Sequence, residues 1–254
     1  ELPDSLESIE GASLYGCSSL QSVNVEEANN NYASEDGILY NKEKTKLIYY
    51  PGGKTDLTEF VLPDTVTDID ISAFDDNKTL TSITVTENNE HYASEDGVLY
   101  NKEKTKLIKF PQAKTELTTL PNTVTTIGEY AFKNCTNIID LTLPETITTI
   151  ENHAFYYCTN LESIEMPVGL TSIGDYAFYY CSSLTNIELP NTVISIGNNA
   201  FSNCRGLINI NIPFGVTDIG NYAFYYCTSL TSIDMPSSVT NIGKDAFYYC
   251  TGLT

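Results

Sequence analysis

The apolar residues of this chain recur with a fixed step along most of its length. Proline, phenylalanine and cysteine each return every 23 residues between positions 121 and 250. The recurring residues are Pro121, Pro144, Pro167, Pro190, Pro213 and Pro236; Phe132, Phe155, Phe178, Phe201, Phe224 and Phe247; and Cys135, Cys158, Cys181, Cys204, Cys227 and Cys250. Such a period is typical of units that cannot bury an apolar face alone and therefore stack on one another.

Within one unit the pattern predicts two strands and a helical segment. Apolar and polar side chains alternate in residues 161–166, as in a half-buried strand. Pro167 has no N–H to donate to a sheet and ends that strand. A second short strand fits residues 169–173, after which Gly174 permits a turn. Residues 175–181 are long enough for one or two helical turns.

The N-terminal half contains a second kind of module. The segment 33–48, ASEDGILYNKEKTKLI, recurs at 93–108 with a single difference, Ile38 against Val98. In both copies apolar runs flank a polar, lysine-rich segment, at 41–46 and 101–106, which predicts a β-hairpin. We interpret each module as one coil that carries a hairpin insert.

These elements predict a single leucine-rich-repeat solenoid, α/β to mostly β, over residues 1–254. Residues 1–119 are expected to alternate short and hairpin-bearing coils, and residues 120–254 to form regular repeats. We expect a right-handed coil of about ten turns, roughly 45–50 Å long at the strand spacing. One continuous parallel sheet should line the concave face, with short helical turns opposite. The strand in 117–121, LTTLP, is two residues short.

The motifs resemble the BspA-like (TpLRR-type) leucine-rich repeats. The resemblance rests on the LP turn, the IGxxAFxxC segment, the strand after the cysteine, and the DG[IV]LYNK modules. Departures are modest, with Leu14 in place of phenylalanine and Asn77 in place of cysteine. The resemblance implies a surface or secreted protein of a host-associated bacterium or a parasitic protist, with a role in adhesion to host proteins or other cells.

The two ends of the sequence lack the polar caps with which solenoids close their cores. The first coil begins at its proline turn, and the last stops in its strand at 252–254. We therefore expect a piece of a longer protein, with any signal peptide, anchor or partner domain outside it.

Composition restricts the partners further. The net charge is −20, from 33 acidic and 13 basic residues, which disfavours nucleic acid. This charge can serve solubility, or it can attract cations and basic protein surfaces. No apolar run approaches the roughly 18 residues of a membrane span, so we expect no membrane insertion.

Seven cysteines raise the question of disulfides or zinc. All of them, Cys17 included, occupy the same repeat position, and no C-x-x-C pair occurs. Side chains stacked one coil apart lie about 4.8 Å from each other, beyond the usual Cβ separation of a disulfide. We predict seven free thiols, buried except in the terminal coils.

Three further motifs suggest phosphate binding, acid–base catalysis and calcium binding, but each lacks part of the sequence pattern that such a site requires. GGKT at 52–55 lacks the first glycine and the helix of a phosphate-binding loop. His91 and His153 fall at repeat positions that hold other residues elsewhere, with no fixed partner for acid–base work. The oxygen-rich stretches 26–32 and 86–92 leave calcium binding open, although asparagines commonly form turns. We predict no catalytic residue, no metal site and no cofactor.

Two surfaces are candidate binding sites. The first is a polar, mildly acidic stripe on the exposed side of the strands, where solenoids commonly bind; a merely solvated sheet is the alternative. The second is a ladder of tyrosine pairs, which either recognises a partner or only stabilises the stack. The stripe comprises Asp140, Thr142, Ser163, Glu165, Asn186, Glu188, Asn209, Asn211, Ser232 and Asp234, and the ladder candidates are Tyr179, Tyr180, Tyr225 and Tyr226.

We therefore predict a non-enzymatic binding or adhesion module of a cell-surface or secreted protein. Its partner would be a protein, such as a host matrix or cell-surface protein, or a glycan. Two alternatives remain: a structural spacer that displays other domains, and a targeting module attached to an enzyme outside this sequence.

Overall fold

The computed structural model describes residues 1–10, 13–115 and 119–254, which fall into two compact units. The first unit comprises Glu1–Lys102 and Pro111–Ala113, and the second comprises Glu103–Phe110 and Lys114–Thr254. Parallel strand ladders joined by turns build both units, and the described chain is a β-solenoid of about eight turns.

Each unit contributes short strands. The first unit has β1 (Tyr32–Glu35), β2 (Ile38–Asn41), β3 (Lys46–Tyr49), β4 (Glu59–Leu62), β5 (Asp68–Ile69), β6 (Ser82–Val85), β7 (Tyr92–Glu95) and β8 (Val98–Asn101). The second unit has β9 (Lys106–Lys109), β10 (Thr126–Ile127), β11 (Asp140–Thr142), β12 (Thr149–Ile150), β13 (Ser163–Glu165), β14 (Ser172–Ile173), β15 (Asn186–Ile187), β16 (Ser195–Ile196), β17 (Asn209–Asn211), β18 (Asp218–Ile219), β19 (Ser232–Asp234) and β20 (Asn241–Ile242).

The strands of the second unit form two separate parallel ladders. One ladder orders β11, β13, β15, β17 and β19, and the other runs from β9 and β10 through the even-numbered strands to β20. Both of the strands predicted within a unit are confirmed, as β13 and β14. Pro167, which has no backbone donor, separates them. The expected parallel sheet is present in the second unit as the ladder from β11 to β19, but it is not continuous over the described residues, because β4 and β6 form a separate pair.

From β10 to β20, successive coils pair in a constant 23-residue register. Ile150 pairs with Ile173, and Ile187 pairs with Ile210. This register places each apolar side chain above its equivalent in the neighbouring coil, so the core is a set of parallel columns. The phenylalanines from Phe132 to Phe247 form the central column, with ring centroids 4.9–5.5 Å apart and interplanar angles of 2–12°.

The predicted helical turns at 175–181 are wrong. The described residues contain no helix, and this segment runs through consecutive turns. Tyr176 and Tyr180 have φ of 56° and 58°, in the left-handed region that a right-handed helix excludes. The column of Tyr176 also holds His153, Asn199 and Asp245, and that of Tyr180 holds Asn203, all residues of the types most tolerant of positive φ.

The alternation of backbone hydrogen bonds explains this shape. In the turn segment the N–H groups of Ala177, Tyr179 and Cys181 donate to carbonyls three residues earlier. The intervening N–H groups donate to the next coil instead, as from Phe178 to the carbonyl of Ala200 at 2.7 Å. A helix would satisfy all of these groups within the segment, whereas the observed turns use half of them to hold adjacent coils together.

Close backbone contact requires glycine between the short strand and the turn segment. A Cβ at Gly220 would lie 2.5 Å from the carbonyl carbon of Gly197 in the preceding coil. Next to this glycine column, a side-chain oxygen of each coil accepts a backbone N–H of the following coil. Asp175 Oδ1 accepts from Asn198 at 2.7 Å, and Asn198 Oδ1 accepts from Asn221 at 2.8 Å.

The first unit contains the predicted hairpin elements. Strands β2 and β3 pair antiparallel around the lysine-rich segment, which confirms that prediction, and Lys44 has a φ of 54°. A second antiparallel pairing, β1 with β2, was not predicted as an element. Its turn is Asp36-Gly37, where both residues have positive φ, as a two-residue hairpin turn demands. Strands β7 and β8 repeat this arrangement.

The turn number is lower than the predicted ten. Of the described residues up to position 25, only Leu2 and Val25 pair, in an isolated bridge, and no strand of the described residues follows β20. The predicted short strand at 117–121 begins outside the described residues, which leave out 116–118.

Substitution of Gly220 by alanine tests the role of the close backbone contact. We expect Gly220→Ala to lower the free energy of unfolding by about 1–3 kcal/mol, because the added Cβ forces two coils apart. Gly169→Ala is the matched control, since its Cβ would meet nothing nearer than 3.7 Å. The control should be neutral or stabilising by about 0.4–1 kcal/mol. Equal denaturation midpoints for the two variants would contradict the contact.

Candidate binding surfaces

The polar stripe lies on the exposed side of the ladder from β11 to β19. In β11, β13 and β17 an exposed residue stands on each side of one buried apolar residue. Register pairing aligns the exposed residues into two columns, one through Asp140, Ser163 and Asn186 and one containing the pair Thr142–Glu165. The predicted stripe residues are therefore brought together on one face of a rigid sheet, and we refer to them as the strand face.

Neighbouring coils are joined by hydrogen bonds on this face. The hydroxyl of Thr142 donates to Glu165 Oε2 at 3.0 Å, and Ser163 Oγ donates to Asp140. Asn211 bonds to both backbone groups of Leu189, donating at 3.1 Å and accepting at 3.1 Å. These contacts fix the side chains before any ligand arrives, which reduces the entropy lost on binding.

An open depression covers the middle of the strand face. It is lined by residues of three coils, including Glu165, Glu188 and Asn211 from the strands and Val168 and Asn191 from the adjoining turns. The lining combines carboxylates, amides and apolar groups, and none of its residues is basic. Such a surface suits hydrogen-bond donors and cationic side chains.

Tyrosine rings in successive coils stack face to face. Tyr156 stacks on Tyr179 at 5.0 Å, and Tyr157 stacks on Tyr180 at 4.7 Å. Since each stacked face is covered by another ring, mainly the ring edges and hydroxyls face solvent along the ladder. Burial and neighbouring phenols raise the pKa of Tyr179.

The four predicted ladder candidates flank an interruption. Ser202 and Asn203 replace the tyrosine pair in one coil. Tyr179 and Tyr180 lie before this gap, and Tyr225 and Tyr226 lie after it, stacked in turn on Tyr248 and Tyr249 at 5.3 and 4.5 Å. The guanidinium of Arg205 lies 5.8 Å from the ring centre of Tyr180 and 6.0 Å from that of Tyr226. A cation of the chain itself therefore occupies the neighbourhood of these open ring faces.

The basic residues of the regular repeats lie over aromatic rings. Beyond residue 115 the sequence has only Lys133, Arg205 and Lys244. Lys133 lies 4.6 Å from the ring centre of Tyr130, and Lys244 lies 5.9 Å from that of Tyr222. Positive charge is thus concentrated at the tyrosines, while the strand face carries only acidic charge.

The cysteines form a column of hydrogen-bond donors. Each thiol from Cys135 to Cys250 donates to the carbonyl of the phenylalanine in the preceding coil, with sulfur–oxygen distances of 3.0–3.6 Å. These six thiols are buried and Cys17 is exposed, and all seven are free. Burial raises the pKa of the Cys181 and Cys204 thiols. Asn77, which replaces a cysteine, donates instead to the carbonyl of Pro51, the residue after Tyr50, at 3.1 Å.

The asparagines of the oxygen-rich stretches serve the backbone. Asn89 is fully buried, donates to the carbonyls of Pro63 and Val66, and accepts from the N–H groups of His91 and Tyr92. Asn29 makes the same set of bonds in its own coil. Among the described residues, no group of three or more His, Cys, Asp or Glu side chains is placed to hold a metal ion.

The remaining motifs also have structural explanations. A Cβ at Gly53 would lie 2.5 Å from the carbonyl of Ser19, and Lys54 is buried and paired with Asp56 at 3.1 Å. His153 is stacked between Tyr130 and Tyr176, with ring centres 4.5 and 4.9 Å away, while His91 is exposed in the first unit. Within the described chain, no helix is long and apolar enough to span a bilayer.

Sequence reasoning missed a group of exposed apolar side chains. Phe214, Val168 and Ile194 expose 76%, 72% and 60% of their surface. Polar residues stand at the equivalent positions of most other coils, so a comparison of the repeats with one another would have revealed them.

A family model described as the BspA type leucine rich repeat region (6 copies) matches residues 1–52, 52–119, 108–227 and 171–254. No curated protein sequence matches the chain.

Several solved structures share the fold. A leucine-rich repeat protein from Eubacterium ventriosum is 25% identical with a TM-score of 0.65, over 92% of this chain and 76% of that one. A leucine-rich cell surface protein from Faecalibacterium prausnitzii is 27% identical with a TM-score of 0.67, over 91% of this chain and 62% of that one. The pneumococcal vaccine antigen PcpA is 22% identical with a TM-score of 0.67, over 100% of this chain and 65% of that one.

Thiol reactivity tests the cysteine column. A thiolate-specific reagent at pH 8 should modify Cys17 quickly in the native protein and all seven thiols in denaturant, since burial raises the pKa of the inner thiols. The unfolded thiols ionise near pH 8.5, so unfolding releases protons above that pH and the free energy of unfolding falls as pH rises. In Cys17→Ser the fast phase should disappear. Native labelling of Cys181 or Cys204 as fast as that of Cys17 would contradict the column.

Proposed function

The chain belongs to the BspA type leucine-rich repeat family, and from this premise we propose that it is a non-enzymatic protein-binding or adhesion module of a cell-surface or secreted protein. The observation that carries the proposal is the strand face, where two columns of exposed polar side chains are fixed on a parallel ladder. Its acidic groups, Asp140, Glu165, Glu188 and Asp234, favour a partner with basic groups.

Rigidity supports a binding role for this face. The backbone of each strand is held by the strands before and after it, and buried isoleucines such as Ile164 and Ile210 anchor it from beneath. A surface that is already ordered loses little conformational entropy when a ligand binds. The partner is proposed to be a protein, such as a host matrix or cell-surface protein, with a glycan as the other ligand class.

The proposed localisation is extracellular or at the cell surface. It draws on the description of the Faecalibacterium prausnitzii relative as a cell surface protein. This chain spans 62% of that relative, so the role of the whole protein is part of the proposal.

The proposal of a non-enzymatic role rests on the positions of the two histidines. His153 is packed between tyrosine rings, and its Nδ1 lies 3.6 Å from Oε1 of Glu129. Its φ is 56°, and the residues at the same position of the other regular coils also have positive φ. His91 follows the buried Asn89 and is exposed on a turn of the first unit. Both positions are explained by the coil geometry.

A structural spacer is the second candidate function. The stacked tyrosines favour it, because ring faces that cover one another stabilise the array and offer little surface to a ligand. A targeting role for an enzyme elsewhere in a parent protein remains a further proposal.

Charge reversal on the strand face distinguishes a binding module from a structural spacer. We expect the combined variant Glu165→Lys, Glu188→Lys and Asp234→Lys to bind a partner at least about tenfold more weakly, because each lysine repels basic groups of that partner. The unfolding free energy should stay within about 0.5 kcal/mol per exposed substitution. Partners are to be sought by screening purified matrix proteins and glycans at moderate salt.

Glu7→Lys, Glu87→Lys and Glu90→Lys together form the control, because they change the net charge equally at exposed positions of the first unit. A second set, Tyr179→Ala and Tyr225→Ala, tests the ladder. If a partner binds and only the tyrosine set weakens it, the strand face is the wrong surface. If neither set has an effect, the hairpin segments 41–46 and 101–106 are the next candidates. Failure to find any partner favours the spacer.

A further inference from the structure

Three exposed apolar side chains lie on three successive coils of the second unit. Phe214, Val168 and Ile194 are the most exposed large apolar residues of the described chain, at 76%, 72% and 60%. We call these three residues the Val168–Phe214 patch. A folded chain gains nothing from apolar groups that water surrounds, so their presence calls for an explanation outside the fold.

The repeats themselves show that the fold does not require this patch. Val168 and Phe214 follow the turn prolines, a position that is polar in every other coil: Asp4, Asp64, Asn122, Glu145, Asn191 and Ser237. Ile194 interrupts a threonine column that otherwise comprises Thr67, Thr125, Thr148, Thr171, Thr217 and Thr240. Three departures from a polar consensus therefore fall on adjacent coils.

Two of these coils, those of Val168 and Phe214, lack a contact that the coil of Ile194 makes between them. Thr192 donates its hydroxyl to the carbonyls of Val168 and Leu170 at 2.8 and 2.6 Å, and so ties its coil to the preceding one. Gly169 and Gly215 stand at this threonine position directly after Val168 and Phe214. Neither glycine has a positive φ, and a Cβ at Gly215 would lie 3.1 Å from the carbonyl oxygen of Val193. The glycines thus remove a side chain, and its hydrogen bond, beside each exposed apolar residue.

Contacts between the coils place the three residues together. A Cβ on Gly215, next to Phe214, would lie 3.7 Å from Cγ2 of Ile194. The coil of Ile194 contacts the coil of Val168 through Thr192. At the strand spacing, Val168 and Phe214 are about 10 Å apart, and Asn191 stands at the equivalent position of the coil between them.

The charges around the patch are acidic. Glu145 Oε2 accepts the N–H of Val168 at 3.1 Å, and the strand-face depression that Val168 borders also contains Glu165 and Glu188. On the side of Phe214, the hydroxyl of Thr217 and the amide of Asn241 hold the pKa of Asp218 below its usual range. The basic residues Arg205 and Lys244 of the regular repeats lie over tyrosine rings.

We propose that the Val168–Phe214 patch is a docking surface for a protein segment that presents an apolar side chain flanked by lysine or arginine. The proposal rests on the proposed protein-binding function and names the chemistry of its partner. The apolar side chain would pack against the exposed side chains of the patch, while the basic groups would face the carboxylates around it. A net charge of −20 disfavours a second copy of this chain and an anionic membrane as occupants.

Short synthetic peptides in three matched sets provide the test. The first set places a leucine or phenylalanine between lysines or arginines, the second places the same residue between glutamates, and the third places serine between lysines or arginines. We expect the wild-type protein to bind only the first set, at low ionic strength, and more weakly as salt is raised from about 50 mM to about 300 mM. Hydrogen exchange on binding should slow at residues 166–171, 189–194 and 212–217.

Restoring the repeat consensus should abolish this binding. The variant Val168→Asn, Ile194→Thr and Phe214→Asn carries residues found at the same positions of other coils, so it should fold with an unchanged melting temperature. We expect its affinity for the first peptide set to fall at least about tenfold. The matched control is Ile139→Thr with Ile208→Thr, two exposed apolar residues at another repeat position where Thr185 and Thr231 stand. The control should bind as the wild type does.

The other outcomes overturn the proposal in distinguishable ways. If the patch variant and the wild type bind the peptides equally, the patch is not the docking surface, but a protein-binding function still stands. Equal binding of the glutamate-flanked peptides removes the charge argument. Self-association that the patch variant abolishes, seen by sedimentation, makes a second copy the occupant. If no peptide binds while a partner from the matrix-protein screen does, the docking proposal fails and the proposed function stands.

Discussion

The hydrogen bonds that join each coil to the next, with a constant 23-residue step in the regular repeats, are the interaction on which the rest of the structure depends. They run through both strand ladders and continue through the turn segment, where Phe155, Phe178 and Phe201 each donate to an alanine carbonyl of the next coil at 2.7–2.8 Å. No coil has a hydrophobic core of its own, and the constant step lets the apolar side chains of successive coils form one common core. Gly197 and Gly220 permit the backbone approach that these bonds require.

A constant step also places identical side chains on top of each other, and this determines which residues remain available for function. Phenylalanine rings stack on rings, each thiol donates to the carbonyl of the coil before it, and Asp175 and Asn198 accept backbone N–H groups of the coil after them. Residues in such columns already make their contacts within the solenoid. Recognition is therefore left to the solvent side of the strands and to positions such as Val168 and Phe214, where the sequence departs from its own repeat.

The strands and their register could be predicted from the sequence, because alternation in 161–166 and the proline after it are local signals. The stripe residues were predicted to share a face, and β11–β19 place them so. The turn segment could not be predicted, since Tyr176 and Tyr180 adopt positive φ that tyrosine itself disfavours. The local indication lay in the residues that share these columns, such as His153, Asn199 and Asn203. The exposed patch was not predicted, because Val168, Ile194 and Phe214 lie outside the recurring apolar positions that define the repeat.

Native-state hydrogen exchange on the turn-segment amides tests most directly whether coil-to-coil bonding holds the array together. The account predicts that the amides of Phe155, Phe178, Phe201 and Phe224 exchange with the opening free energy of the adjacent strand amides and respond to denaturant in the same way. They would then open together with the strands. Exchange of these four amides through local, denaturant-independent opening, while Ile164 and Ile187 stay protected, would contradict the account.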